Sequence, residues 1–136
     1  MTALVVDTSA AVAILTSEPD ADELIERLSS ATALLMSTAT LLELSIVMEA
    51  RLGPAGQGVV ERFIRDSEID LVAVDRNHVD RALEGWRRFG KGRHKAALNF
   101  GDCFSYALSV ATGHLLLYVG DDFPLTDVPV NDDGPT

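Results

Sequence analysis

A single cysteine, Cys103, excludes an intrachain disulfide and a multi-cysteine zinc site, and is expected to be a small buried thiol. Histidine is nearly as scarce: His78, His94 and His114 are the three, and no GxSxG segment accompanies them, so Ser-His-Asp catalysis has little to build on. The three are expected on the surface or in turns. Basic residues number 11 against 21 acidic ones, and the net charge of −10 opposes any general affinity for nucleic acid or anionic membranes. Long hydrophobic runs are missing too. The stretch from Ala3 to Leu15 has the apolar content of a secretory h-region, but no basic residue precedes it and Asp7 interrupts it. A soluble, cytoplasmic protein with no membrane association is expected.

What is present is enough apolar chain for one core. With 47% hydrophobic residues in 136, a single domain spanning residues 1–130 is expected, followed by a polar, flexible tail, NDDGPT, over 131–136. Short apolar runs bounded by polar residues fit buried parallel strands: LVV before Asp7, ALLMS from Ala33, IDLVAV from Ile69 and LLLYV from Leu115, with VPV near Val128 as a short fifth. Between them the spacing predicts helices over Ala10–Leu15, Asp20–Ser30, Ala39–Arg51, Val59–Asp66, His78–Phe89 and Phe100–Thr112. Such alternation favours an α/β domain with a mainly parallel sheet of four to five strands and helices on both faces. The GPAGQG stretch, Gly53 to Gly58, has no following Lys-Ser or Lys-Thr and no preceding strand, so it reads as a helix connection, not a phosphate loop.

The few basic residues are concentrated. Seven of the 11 lie between Arg76 and Lys95, giving that window +5 and the rest −15. A solvated helix face is the plainer explanation of such a run, and a local phosphate-binding strip is the functional one.

Carboxylates stand where apolar side chains are expected. Glu43 lies in the early turns of ATLLELSIVMEA, which reads as mostly buried, and Asp102 is surrounded by Phe100, Cys103, Phe104 and Leu108. Asp7 ends one buried strand, and Asp121 and Asp122 end another. Each has an ordinary explanation as a cap or turn residue; Glu43 fits that explanation least well. An isolated buried carboxylate neutralises, pairs or binds a metal, and basic partners are nearly absent from these segments. Oxygen-only ligands favour Mg²⁺ or Mn²⁺. In open parallel sheets ligands bind beyond the carboxyl ends of the strands, which is where Asp7 and the Asp121/Asp122 pair fall. Ser9 fits there as a helix cap or as a hydroxyl that orients Asp7.

VVDTSAAVAIL, STATLLE, ALNFGDCFSYALS and LLLYVGDDFPLTDV resemble, in order and spacing, the PIN-domain ribonucleases, and most closely the VapC toxins of bacterial type II toxin–antitoxin pairs. The resemblance covers essentially the whole chain. It implies a three-layer α/β/α PIN-like domain, an acidic cluster that binds Mg²⁺ or Mn²⁺, and endonucleolytic hydrolysis of RNA phosphodiesters by a toxin that inhibits translation. By motif, Asp7, Glu43 and Asp102 match the first three family acids, with Asp7 and Asp102 as expected direct metal ligands. The fourth falls on Asp121 or Asp122, between which the sequence does not choose. Ser9 matches the small hydroxyl beside the first acid. Arg87, Arg88, Lys91, Arg93 and Lys95 lead almost directly into the Asp102 helix and are the candidate RNA-phosphate contacts. A VapB-type antitoxin whose arm covers the site, a homodimer, and a heterotetramer or larger assembly with antitoxin are the partners implied. The apolar residues of Leu24–Leu28, Leu44–Met48 and Phe63–Ile64 are candidates for such surfaces, with core packing as their default role.

Two other classes compete. A phosphotransfer or phosphatase domain would use Asp7 as nucleophile, but the haloacid-dehalogenase pattern wants a second Asp where Ser9 stands, and a receiver domain wants a lysine later than Lys95. A non-catalytic metal-binding interaction module would keep the acids without cleaving RNA.

Overall fold

The computed structural model describes residues 2–129. Strands β1 (Ala3–Val6), β2 (Ala33–Ser37), β3 (Ile69–Val72) and β4 (Leu115–Leu117) form one sheet in the order β3-β2-β1-β4. All pairings are parallel, with Val5 opposite Leu35 on one side and Leu116 on the other. Around it run α1 (Thr8–Leu15), α2 (Ala21–Ser30), α3 (Thr38–Leu52), α4 (Ala55–Asp66), α5 (Arg76–Phe89) and α6 (Phe100–Thr112).

The period-two alternation of β1 divides the interior. Leu4 and Val6 face a core with Met36, Leu44, Met48 and Phe63, whereas Val5 faces the opposite one with Leu98, Tyr106, Leu108 and Leu116. Because β1 is buried on both faces, its sequence is an unbroken apolar run, as parallel central strands require. Helices cover both faces of the sheet, as expected from the alternation of elements, which gives the three-layer α/β/α arrangement that the resemblance implies.

Several local expectations are corrected. No fifth strand forms at Val128–Pro129: the Pro129 carbonyl accepts one bond from the Leu116 N–H at 3.0 Å, and proline has no N–H with which to extend a ladder. Val130 and the tail expected at 131–136 lie outside the described residues. Helix α4 starts at Ala55, not Val59. A Cβ on Gly56 would stand 2.5 Å from the Met48 carbonyl oxygen, so glycine there lets α3 and α4 approach closely inside what reads as a loop. Helix α3 buries only Thr40, Leu44 and Met48, leaving Leu42 and Ile46 mostly exposed. Phe100 is likewise 81% exposed. His78 is buried, contrary to a surface placement, in the first turn of α5, where its backbone N–H is capped by Asp75 at 2.9 Å. Cys103 is buried as expected, and burial pushes its thiol up to about 11.

Candidate active site

Asp7 leaves the end of β1 and caps α1. Its Oδ2 accepts the Ser9 N–H at 3.0 Å and the Ser9 hydroxyl at 2.7 Å, while its Oδ1 accepts the Ser105 hydroxyl at 2.6 Å. Only 3% of the residue is exposed. The cap and the buried carboxylate are thus the same group. Ser9 also accepts the Val119 N–H at 3.0 Å, tying the first turn of α1 to the exit of β4.

Glu43 comes from α3 and is half-buried. Its Oε1 accepts the Thr8 hydroxyl at 2.6 Å, and its carboxylate lies against Gly101, the residue before Asp102. Asp102 sits in the first turn of α6 in a reciprocal capping box: its N–H donates to Asn99 Oδ1 at 2.8 Å, and its Oδ2 accepts the Asn99 N–H at 3.0 Å. Burial pushes the Asp102 carboxyl up to about 6, and the charges of Asp7, Glu43 and Asp122 act in the same direction against the opposing Asn99 N–H. Among the described residues no basic side chain relieves it.

The two candidates for the fourth acid are placed differently. Asp122 bears on Asp102, whereas Asp121 bears on the phenol of Tyr118, which burial pushes up. Both are exposed.

The donor set is carboxylate oxygen throughout. Among the described residues no group of three or more Asp, Glu, His or Cys forms a ready cage for an ion. Asp7 is turned to serine hydroxyls and Glu43 Oε1 to Thr8, while Asp102 Oδ1 and Glu43 Oε2 take part in no hydrogen bond among the described residues. That arrangement suits a cation held through one or two carboxylates and otherwise by water and phosphate oxygens, the usual habit of Mg²⁺, better than an all-protein calcium cage.

The basic residues are only partly free. Arg88 is exposed but ion-paired: it donates to Asp127 Oδ2 at 2.9 Å, and the Tyr106 hydroxyl donates to the other oxygen at 2.8 Å. Arg93 lies 4.7 Å over the Trp86 ring and donates to the Arg87 carbonyl at 3.0 Å. Lys91 edges an apolar groove of about 470 Å³ with Trp86, Leu98, Asn99 and Phe100. Arg87, Lys91, Arg93 and Lys95 are exposed. A second groove of about 690 Å³ runs along Leu42, Glu43, Ile46, Phe100 and Phe104.

Sequence reading missed Thr40, Asn99, Gly101 and Ser105. The N-cap preference for Asn three residues before an acid was an available signal for Asn99. The i, i+3 spacing from Asp102 was the only one for Ser105, and it is weak.

An open parallel sheet with acids converging beyond its carboxyl edge defines a class of α/β protein whose ligand meets carboxylates at the strand ends. The model of the PIN domain matches residues 4–129. A ribonuclease VapC of Mycolicibacterium smegmatis is 49% identical over 125 residues, covering 92% of this chain and 97% of that one. The crystal structure of Mycobacterium tuberculosis VapC20, described as a sarcin–ricin loop cleaving toxin, superposes with a TM-score of 0.74 at 18% identity over 92% of this chain and 95% of its own. VapBC2 from Rickettsia felis, bound to a promoter DNA fragment, gives a TM-score of 0.69 at 13% identity over 93% of each chain. The chain belongs to the PIN-domain family, in its VapC ribonuclease branch. No helix among the described residues is long and apolar enough to cross a membrane.

Proposed function

We propose that this protein is a Mg²⁺- or Mn²⁺-dependent ribonuclease that hydrolyses RNA phosphodiesters as the toxin of a toxin–antitoxin pair. The observation that carries the reading is Asp102: a half-buried acid whose neighbour Gly101 lies against the Glu43 carboxylate, pushed up to about 6 by burial and further by three other carboxylates, with no basic partner among the described residues. A divalent cation bound there would relieve that repulsion. When bound, it lowers the pKa of water and stabilises charge on the phosphoryl and leaving oxygens.

The chain's own residues then have distinct tasks. Asp7 and Asp102 would hold the cation, Asp7 with its orientation set by Ser9. Glu43, held by Thr8, orients the attacking water and receives its proton on the carboxylate. Asp122, which bears on Asp102, is the fourth acid in preference to Asp121. Arg87, Lys91, Arg93 and Lys95 draw in RNA phosphates that the net charge of −10 repels.

The partner is a VapB-type antitoxin. The groove along Glu43 and Phe100 offers an apolar seat beside an acidic pocket, so an antitoxin arm carrying apolar side chains and one basic group would fill it and compete for the carboxylates. The exposed Leu42 and Ile46 of α3 belong to that seat.

Cleavage of total RNA by the purified protein should stop in EDTA and return on addition of Mn²⁺ or Mg²⁺. Cleavage that persists unchanged in EDTA would overturn metal dependence, and intact RNA under all conditions would favour a non-catalytic module.

A further inference from the structure

Behind the carboxylates lies a buried run of hydroxyls. Ser105 and Thr40 are 0% and 1% exposed, and their oxygens are 3.3 Å apart. A serine inside a helix ordinarily bonds the carbonyl one turn back. Ser105 does otherwise and donates to Asp7 Oδ1 at 2.6 Å, across 98 residues of chain. A hydroxyl has one proton, and an ionised carboxylate only accepts. The Ser105 proton is therefore committed to Asp7, and the contact with Thr40 is made by the Thr40 proton on a Ser105 lone pair. The chain has one direction: Thr40 to Ser105 to Asp7.

The placement of its members matters. Thr40 is three residues before Glu43 on α3, and Ser105 is three residues after Asp102 on α6. Side chains three apart share one helix face. The relay thus joins, beneath the pocket, the three elements that carry Asp7, Glu43 and Asp102. Each hydroxyl also occupies a position where an unpaired polar atom would be costly, and no buried side-chain nitrogen or oxygen among the described residues lacks a partner.

We propose that Ser105 and Thr40 are positioning residues: the Thr40–Ser105–Asp7 hydrogen-bond chain fixes the orientation of Asp7 and the spacing of the three acids for cation binding. The inference rests on the metal-dependent reading above. Outer partners of this kind affect metal affinity or activity by roughly 10- to 100-fold.

The test uses Mn²⁺ titrated calorimetrically into metal-free full-length protein, alongside kcat for RNA cleavage and circular dichroism to establish folding. Ser105→Ala should weaken Mn²⁺ binding by roughly tenfold or more and lower kcat while leaving KM for RNA nearly unchanged; Ser105→Thr should recover most of both losses. Thr40→Val should weaken Mn²⁺ binding in the wild-type background and have no further effect in the Ser105→Ala background, because Thr40 acts only through Ser105. Folded Ser105→Ala with wild-type Mn²⁺ affinity and wild-type kcat overturns the proposal, as do additive effects of the two substitutions. Wild-type protein that cleaves RNA yet takes up no Mn²⁺ overturns the metal reading instead, and the kcat values of the same variants then decide the positioning role.

Discussion

Gly101 lies so close to Glu43 that a Cβ built on it would stand 2.5 Å from both carboxylate oxygens. The glycine is therefore what allows an acid from α3 to lie across the start of α6, beside Asp102. Its role is space for a neighbour, since α6 is regular through it.

Gly101→Ala should consequently cost at most about 1 kcal/mol of stability, because only the flexible end of Glu43 must move, giving up its Thr8 hydrogen bond, and alanine has the better helix propensity. Cleavage should fall at least tenfold as Glu43 is displaced. In a Glu43→Ala background the same substitution should be neutral or stabilising. Thermal denaturation of the four proteins checks this as a double-mutant cycle.

Asp102 carries the pH dependence. Its carboxyl is raised from 3.8 to about 6, so the folded state holds that proton more tightly than the unfolded chain does. Stability from this group is fully present below about pH 4 and is lost as the pH rises through 6. In chelator, Asp102→Asn should therefore melt higher than wild type at pH 7.5, by roughly 2–6 °C, and the difference should close toward pH 4. Asparagine retains an oxygen able to accept the Asn99 N–H. Mn²⁺ should reverse the order at pH 7.5, because only the wild type gains from binding. Scanning calorimetry at several pH values, with and without Mn²⁺, measures both effects.

The basic segment divides into two groups. Alanine at Arg87, Lys91, Arg93 and Lys95 together should weaken single-stranded RNA binding and flatten its salt dependence by about 0.7 in log–log slope per lost phosphate contact. Arg88→Ala should instead leave RNA affinity within about twofold and lower the melting temperature slightly, because its partners are Asp127 and, through it, Tyr106. Filter binding from low to moderate salt distinguishes the groups.

Much of the fold was legible because strand and helix periods alternate cleanly, and β1, buried on both faces, has no polar interruption before Asp7. The acids were legible for the same reason: a carboxylate in an apolar run is conspicuous. Of the hydroxyls that hold them, Ser9 stood out beside Asp7, whereas Thr40 and Ser105 did not. Thr40 and Ser105 are ordinary helix residues in sequence, and their importance lies in contacts made 65 and 98 residues away. Nor does sequence separate Asp121 from Asp122, which follow β4 side by side; the preference for Asp122 proposed above rests on its charge bearing on Asp102. Gly56 misled because a close helix contact and a loop use glycine alike. Phe100 misled because hydrophobicity fixes a preference for burial and not its outcome at a helix end beside a groove.

The most direct measurement compares Mn²⁺-dependent cleavage of RNA by the wild type, Asp7→Asn and Asp102→Asn, each shown to be folded by circular dichroism. Both substitutions keep side-chain shape and remove a charge. The predicted result is cleavage by the wild type and a loss of at least a hundredfold in each variant; equal cleavage by all three would contradict the assignment of the site.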